Sequence, residues 1–275
     1  MSENDAVLRP EDYVEPTCPL CMDQSNVRAI PQQRVAQRLD EYMSRRDYAG
    51  AERHLLYWME EAKLGRDRSG ELFLCNELVG HYRKTANRDG AFRHIERALV
   101  LLDELGFTEG VSAGTTLVNA ATAYSAFGEN ERALALFGRA RALYESGAVK
   151  PQLLGGLYNN MATVCVALGR FAEAFTLYEK AMEQMAQVRG GALEQAVTCL
   201  NMADAVAAEQ GLEAGEARIA ALLDRADALL HDESIPHDGY YAFVCEKCAP
   251  GFAHYGWFAA AQECRDAAKE IYERA

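Results

Sequence analysis

The chain has 275 residues, of which 49% are hydrophobic, and a formal net charge of −13. This length suits two ordinary domains or one extended repeat array. The excess of acidic residues argues against a nucleic-acid-binding surface. No apolar run approaches the ~20 residues that cross a bilayer. We therefore expect neither nucleic acid nor a membrane among the partners.

The first 30 residues are predicted to form an acidic, proline-containing N-terminal tail. Residues 1–23 hold six acidic side chains and a single base, Arg9. The chain begins without the basic and apolar regions of a secretory signal, so we expect a cytoplasmic protein. The tail is interpreted as solvated. The alternative is that it covers the mildly basic first repeats, because residues 28–97 carry an excess of bases.

An internal repeat follows, marked by Asn119, Asn160 and Asn201 at a constant interval of 41 residues. The neighbouring residues repeat as well, in VNAATAYSAFG, NNMATVCVALG and LNMADAVAAEQG. Self-similarity at this period is typical of a stack of like structural units. The unit around Asn201 fits the same frame if about four residues are inserted into its turn.

Within each unit, small and aromatic residues hold fixed places. The two clearest units share an Ala two residues after the Asn, a turn glycine, then Ala, an aromatic residue and Ala, as in Ala121, Gly128, Ala133, Phe137 and Ala140 and in Ala162, Gly169, Ala174, Tyr178 and Ala181. Small residues let helices approach closely, and the aromatic side chains fill the space between them.

This pattern resembles the tetratricopeptide repeat family, with long repeats similar to those of kinesin light chains and bacterial peptide-sensing regulators. The resemblance implies an all-α, right-handed α-solenoid of about six antiparallel helix pairs over residues 31–275. The expected repeats are 31–65, 70–106, 111–147, 151–188, 191–231 and 238–275. Only about thirty residues, with several prolines among them, precede the repeats in this sequence, so we do not expect the DNA-binding segment that such regulators carry there.

The resemblance further implies that the first helix of each pair lines a concave groove and that the protein is a scaffold for a protein or peptide segment. The predicted groove residues are Asn76, Arg83, Lys84, Asn119, Thr122, Asn160, Thr163, Asn201 and Asp204. An Asn side chain donates and accepts hydrogen bonds, which suits an extended peptide backbone. The alternative is that these amides only bond the neighbouring helix. A full carboxylate clamp is not expected, because Thr115, Val118 and Gly156 stand where it would need bases.

Two Cys-x-x-Cys pairs, Cys18/Cys21 and Cys245/Cys248, are candidate ligands for a structural zinc ion. Neither pair has a local His or Cys partner at zinc-finger spacing, so ordinary helix packing is the preferred interpretation for the second pair. We therefore expect no cofactor. A zinc-dependent protein remains an alternative hypothesis.

The last repeat is rich in aromatic residues, including Tyr240, Tyr241, Trp257 and Phe258. They are interpreted as a bulky cap on the terminal repeat, since such a repeat has one face without a neighbour. The alternatives are a wall that closes the groove and a surface for homo-oligomer formation. No phosphate-binding glycine loop, HExxH or GxSxG motif occurs, so we do not expect an enzyme.

Overall fold

The computed structural model describes residues 27–107, 110–147 and 149–274, and every regular element in these ranges is an α-helix. The twelve helices are α1 (Gln32–Ser44), α2 (Tyr48–Leu64), α3 (Arg68–Lys84), α4 (Arg88–Glu104), α5 (Val111–Ala126), α6 (Asn130–Ser146), α7 (Pro151–Ala167), α8 (Phe171–Met185), α9 (Ala192–Gln210), α10 (Leu212–Leu230), α11 (Gly239–His254) and α12 (Phe258–Arg274). Residues 1–26 of the predicted tail, with Cys18 and Cys21, lie outside the described residues. The chain divides into two compact units, Met1–Leu74 and Cys75–Ala275.

The first unit is built around the packing of α1 on α2. Val35 of α1 and Leu55 of α2 are fully buried. The Asp47 side chain caps α2 by accepting a hydrogen bond from the Gly50 amide at 2.8 Å. An N-terminal cap of this kind satisfies a backbone donor that the helix itself leaves unpaired.

The second unit consists of consecutive helix pairs. The pairs α5/α6, α7/α8, α9/α10 and α11/α12 pack internally, and α6 and α8 also contact the first helix of the following pair. The first helices contact one another as well: α5 touches α7, α7 touches α9, and α9 touches α11. The all-helical fold of paired helices that the sequence predicts is thereby confirmed.

Small and aromatic residues take the core positions that the repeat pattern assigned to them. Ala121, Ala133, Phe137 and Ala140 are at most 1% exposed, and so are their counterparts Ala162, Ala174, Tyr178 and Ala181. Close packing also depends on a glycine in α5. A Cβ atom on Gly114 would overlap the ring of Tyr144, lying 2.7 Å from its Cδ1 atom.

The turns between paired helices use left-handed backbone conformations. Gly128 and Gly169 have φ angles of 79° and 71°, which glycine adopts without a Cβ clash. In an earlier repeat, Ala86 takes the same role at 56°. A left-handed alanine is strained by about 1–2 kcal/mol.

The predicted four-residue insertion in the turn of the fifth repeat is wrong. Gly211, with φ 80°, is the only residue between α9 and α10, and it flanks both helices. The helices α6, α8 and α10 begin at Asn130, Phe171 and Leu212, so the 41-residue interval continues without a break. The longer connection lies after α10, where residues 231–238 precede α11.

Candidate functional site

The candidate site is the surface formed by the first helices α5, α7, α9 and α11, called the first-helix face below. Its charge distribution is unusual for a protein in which a quarter of the residues are charged. Helices α5 and α7 contain no Asp, Glu, Lys or Arg, and the only charged residues in α9 are Glu194, Asp204 and Glu209. Side chains of α5 and α7 therefore offer no charge–charge attraction to a partner, which leaves hydrogen bonds, apolar contacts and shape.

Asn119 is hydrogen bonded to the preceding first helix. Its Nδ2 donates to Oδ1 of Asn76 at 3.3 Å, and Asn76 in turn donates to the Thr116 hydroxyl at 2.9 Å. Two of the predicted groove residues therefore meet each other, and their amides connect α3 to α5 within the second unit.

Asn201 forms the equivalent contact two repeats further on. Its Nδ2 donates to Oδ1 of Asn159 at 3.0 Å, and the Thr198 hydroxyl lies 3.3 Å from the same oxygen. Sequence reasoning missed Asn159 because it followed Asn160, the residue at the 41-residue interval. The available signal was the Asn159-Asn160 dipeptide, in which only one residue can face the next first helix.

Asn160 itself is half-buried and makes no hydrogen bond to any described residue. The hydroxyls of Thr122 and Thr163 donate to carbonyl oxygens one turn earlier in their own helices, Val118 at 2.7 Å and Asn159 at 3.1 Å. Such bonds satisfy the hydroxyl proton locally and leave the Thr122 oxygen able to accept, whereas the Thr163 oxygen also lies 3.4 Å from the Tyr178 hydroxyl.

The charged residues predicted for the groove lie at two different places. Arg83 and Lys84 are exposed in the last turn of α3. Asp204 is on α9, where it accepts a hydrogen bond from the Tyr255 hydroxyl at 2.7 Å. Burial, together with this acidic acceptor, raises the pKa of Tyr255 well above its ordinary value.

A cavity of about 860 Å³ opens at the N-terminal ends of α7, α9 and α11. The connections 186–191 and 231–238 supply most of the rest of its wall. Gly156 of α7 and Glu194 of α9 line the cavity and also belong to the first helices. The cavity is therefore part of the first-helix face.

The aromatic residues of the last repeat occupy different environments. Tyr241 is buried and stacks on His237, with ring centroids 4.1 Å apart. Trp257 stacks on the buried Phe252 at 6.2 Å and packs against the core of the last repeats. Tyr240 and Phe258 remain 49% and 70% exposed. Tyr241 and Trp257 thus take part in packing, whereas Tyr240 and Phe258 remain accessible.

The described cysteines are all buried, and no two of them form a disulfide. Cys245 and Cys248 are fully buried on α11, and burial raises the pKa of Cys248 to about 12. The Cys248 thiol is therefore protonated as well as buried and is a poor metal ligand, whereas a hydrogen bond with Cys264 lowers the pKa of Cys245. Cys18 and Cys21 lie outside the described residues.

Within the described ranges, one group of His and carboxylate side chains is spaced closely enough to hold a metal ion: Asp227, His231 and Glu263. All three are at least one-third exposed at the level of the side chain. In His231, Nδ1 lies 3.6 Å from the Asp227 carboxylate and Nε2 lies 3.6 Å from the Glu263 carboxylate. Ordinary contacts between surface side chains also have this distance.

Comparison with known proteins supports the repeat assignment. Residues 153–214, from α7 into α10, match the family model of the tetratricopeptide repeat. The nearly identical TPR-like repeats of a protein assigned as a kinesin light chain from Podosopora anserina superpose with a TM-score of 0.51 at 18% identity, covering 73% of this chain and 94% of that one. BtubC (BKLC) from P. vanneervenii superposes with a TM-score of 0.52 at 15% identity, covering 90% and 92%. No curated protein sequence matches the chain.

These comparisons show the fold, which is that of tetratricopeptide-type helix pairs. Repeats of this family generally mediate protein–protein interaction, and their scaffolds are typically not enzymes. In the described part of the chain, no helix is both long and apolar enough to cross a membrane.

Proposed function

We propose that the protein is a scaffold that binds an extended segment of a protein or peptide along the first-helix face. The observation that carries this proposal is the unused hydrogen-bonding capacity of this face. Asn159 and Asn201 are joined by one hydrogen bond, which leaves Nδ2 of the first and Oδ1 of the second unpaired among the described residues. The neighbouring Asn160 uses neither of its polar atoms.

The Asn–Asn contacts favour binding because they hold amide groups in place before a ligand arrives. A side chain that a neighbour already orients loses less conformational entropy when it binds. The spare Nδ2 donor of Asn159 and the spare Oδ1 acceptor of Asn201 match the C=O and N–H groups of an extended backbone. Because α5 and α7 are uncharged, we expect recognition along them to depend on the backbone and shape of the segment rather than on its charges.

A photo-crosslinking experiment tests this proposal. Benzoylphenylalanine is placed at Thr163 on α7 or, as a matched control, at Thr176 on α8. Both threonines are exposed and both donate to a carbonyl one turn earlier; the sites differ in the helix that carries them and in the additional 3.4 Å contact of Thr163 with the Tyr178 hydroxyl. In lysate of the source organism, we expect a discrete crosslinked partner from position 163 and none from position 176.

A second substitution checks that the crosslink reports binding on this face. Asn160→Arg places a long charged side chain on the uncharged part of the face and should abolish the crosslink without unfolding the chain. Equal crosslinking from positions 163 and 176, or an unchanged crosslink with Asn160→Arg, would contradict the proposal.

Self-association through the last repeat is a second candidate function, favoured by the exposure of Phe258. This side chain is 70% exposed at the start of α12. Phe258→Ala tests the idea better than Trp257→Ala, since the Trp257 ring contributes to the core. We expect sedimentation velocity to show a concentration-dependent mass that Phe258→Ala removes, and a monomer at every concentration would exclude this function.

A further inference from the structure

The cavity at the N-terminal ends of α7, α9 and α11 combines an apolar floor with an acidic rim. Met185, Leu193 and Ile235 line it and are each buried to 95% or more. Tyr240 stands at its edge, where its hydroxyl donates to the carboxylate of Glu194. At about 860 Å³, the cavity is large enough to take a long side chain together with part of the chain that carries it.

The charges around this cavity are predominantly negative. Glu194, Glu233 and Asp238 line it, against the single base Arg189. Glu233 forms no hydrogen bond or ion pair with any described residue, so its carboxylate is available. Asp238 is engaged in capping α11, where it accepts from the amides of Tyr240 and Tyr241 at 2.9 and 3.1 Å.

An anionic ligand is disfavoured even though three helices begin here. A helix N-terminus attracts anions through its free N–H groups and its dipole. At α11 the carboxylate of Asp238 already fills this role, and the first turn of α9 carries Glu194. Helix α7 begins with Pro151, which has no N–H to donate. A phosphate or carboxylate would therefore find the α11 amides occupied and would meet the like charges of Glu194, Glu233 and Asp238.

We propose that this cavity receives a lysine or arginine side chain of the segment bound along the first-helix face. This inference rests on the proposed function and adds a specificity to it. The methylene stem packs on Met185, Leu193 and Ile235, and the cationic head reaches Glu233 and Glu194. The ring of Tyr240 adds a cation–π contact at the edge. Recognition of the segment is thus independent of its charge along α5 and α7, and it selects a basic residue at the cavity.

Selection from a random twelve-residue peptide library displayed on phage tests the inference without knowledge of the natural partner. The immobilised full-length chain is compared with Glu194→Gln/Glu233→Gln. The control is Glu131→Gln/Glu179→Gln, which removes two exposed carboxylates from the second helices α6 and α8. Thermal unfolding followed by circular dichroism confirms that all three proteins fold alike.

We expect the wild type and the control to enrich peptides with Lys or Arg at one fixed position, and the cavity variant to lose this preference. A synthetic peptide from the selection should bind the cavity variant about tenfold or more weakly, as expected for a charge-assisted hydrogen bond lost from a partly buried site. Replacing the selected base by glutamine should weaken binding to the wild type equally and binding to the cavity variant little.

The remaining outcomes separate this inference from the proposed function. Enriched peptides that lack a basic position, bind the cavity variant equally well and fail to bind Asn160→Arg would overturn the inference and leave binding along the first-helix face intact. If the wild type enriches no peptides over bare support, both proposals fail.

Discussion

Replacing Asn159 by alanine should destabilise the protein, whereas the same change at its neighbour Asn160 should not. Asn159→Ala removes the oxygen that accepts from Asn201 at 3.0 Å. The substitution costs Thr198 little hydrogen bonding, because its single hydroxyl proton has a closer acceptor than Asn159. This acceptor is the Glu194 carbonyl at 2.9 Å. One net hydrogen bond is therefore lost, which costs about 1 kcal/mol. The melting temperature should fall by about 2–4 °C.

The comparison with Asn160→Ala isolates this bond. Both residues are half-buried on α7, and both substitutions gain the same intrinsic helix propensity, which cancels in the difference. Asn160 makes no hydrogen bond among the described residues, so its loss should change the free energy of unfolding by less than about 0.5 kcal/mol. For the affinity of a bound segment we expect the opposite order. Asn160→Ala should weaken binding more than Asn159→Ala, because the Asn160 amide is fully available to a ligand.

The assay is guanidinium unfolding of both single variants, of Asn201→Ala and of the double variant Asn159→Ala/Asn201→Ala. A double-mutant cycle should give a coupling free energy of about 0.5–1.5 kcal/mol between Asn159 and Asn201. If the two single variants at positions 159 and 160 lose equal stability, or if the cycle shows no coupling, the lateral Asn–Asn contact does not stabilise the fold and the reasoning is refuted.

Three further predictions concern the packing, the turns and the buried thiols. Gly114→Ala should destabilise by about 1–3 kcal/mol because its Cβ atom meets the ring of Tyr144, whereas Gly138→Ala, with open space around it in α6, should stabilise by about 0.5–1 kcal/mol; thermal unfolding distinguishes the two. Ala86→Gly should raise stability by about 1 kcal/mol in the same assay by relieving a left-handed alanine, and a loss would show that the turn is unstrained. Burial raises the pKa of Cys165 from 9.0 to about 11, so above pH 9 the unfolded chain loses a proton that the folded chain keeps. Stability should then decline with rising pH, this thiol contributing about 1 kcal/mol by pH 10, and Cys165→Ala should flatten that decline in denaturant unfolding at pH 8 and pH 10.

The repeat register was predictable because it depends on residue size at fixed intervals. Ala121 and Ala162 follow their asparagines at the same distance, and both are fully buried where helices cross. The prediction for the fifth repeat was wrong because this repeat lacks the usual alanine and aromatic residue. Gly215 and Ile219 occupy the positions equivalent to Ala174 and Tyr178, and both are buried. A pattern search then shifts the register to the next alanines and introduces an insertion that the structure does not contain.

The candidate site was predictable only in part, since a repeat interval identifies a helix position and not a side-chain partner. Asn76, Asn119 and Asn201 were all predicted groove residues, but the contacts of Asn119 with Asn76 and of Asn201 with the unpredicted Asn159 depend on how neighbouring first helices are rotated. The acidic cavity was missed altogether. Its wall combines residues from three helices and two connections, and Glu233 gives no signal in a search for motifs.

The single-residue turn at Gly211 has a consequence for how the sequence can change over time. This glycine is both the C-cap of α9 and the N-cap of α10. The connection therefore has no further residue that could absorb a change in the length of either helix. A residue gained or lost in either helix would rotate everything beyond it by about 100° and turn the Asn201 side of α9 away from α7. The connection 231–238 has no such constraint on its length. Insertions and deletions in related sequences should therefore accumulate there, where they would reshape the cavity wall and leave the helix register intact.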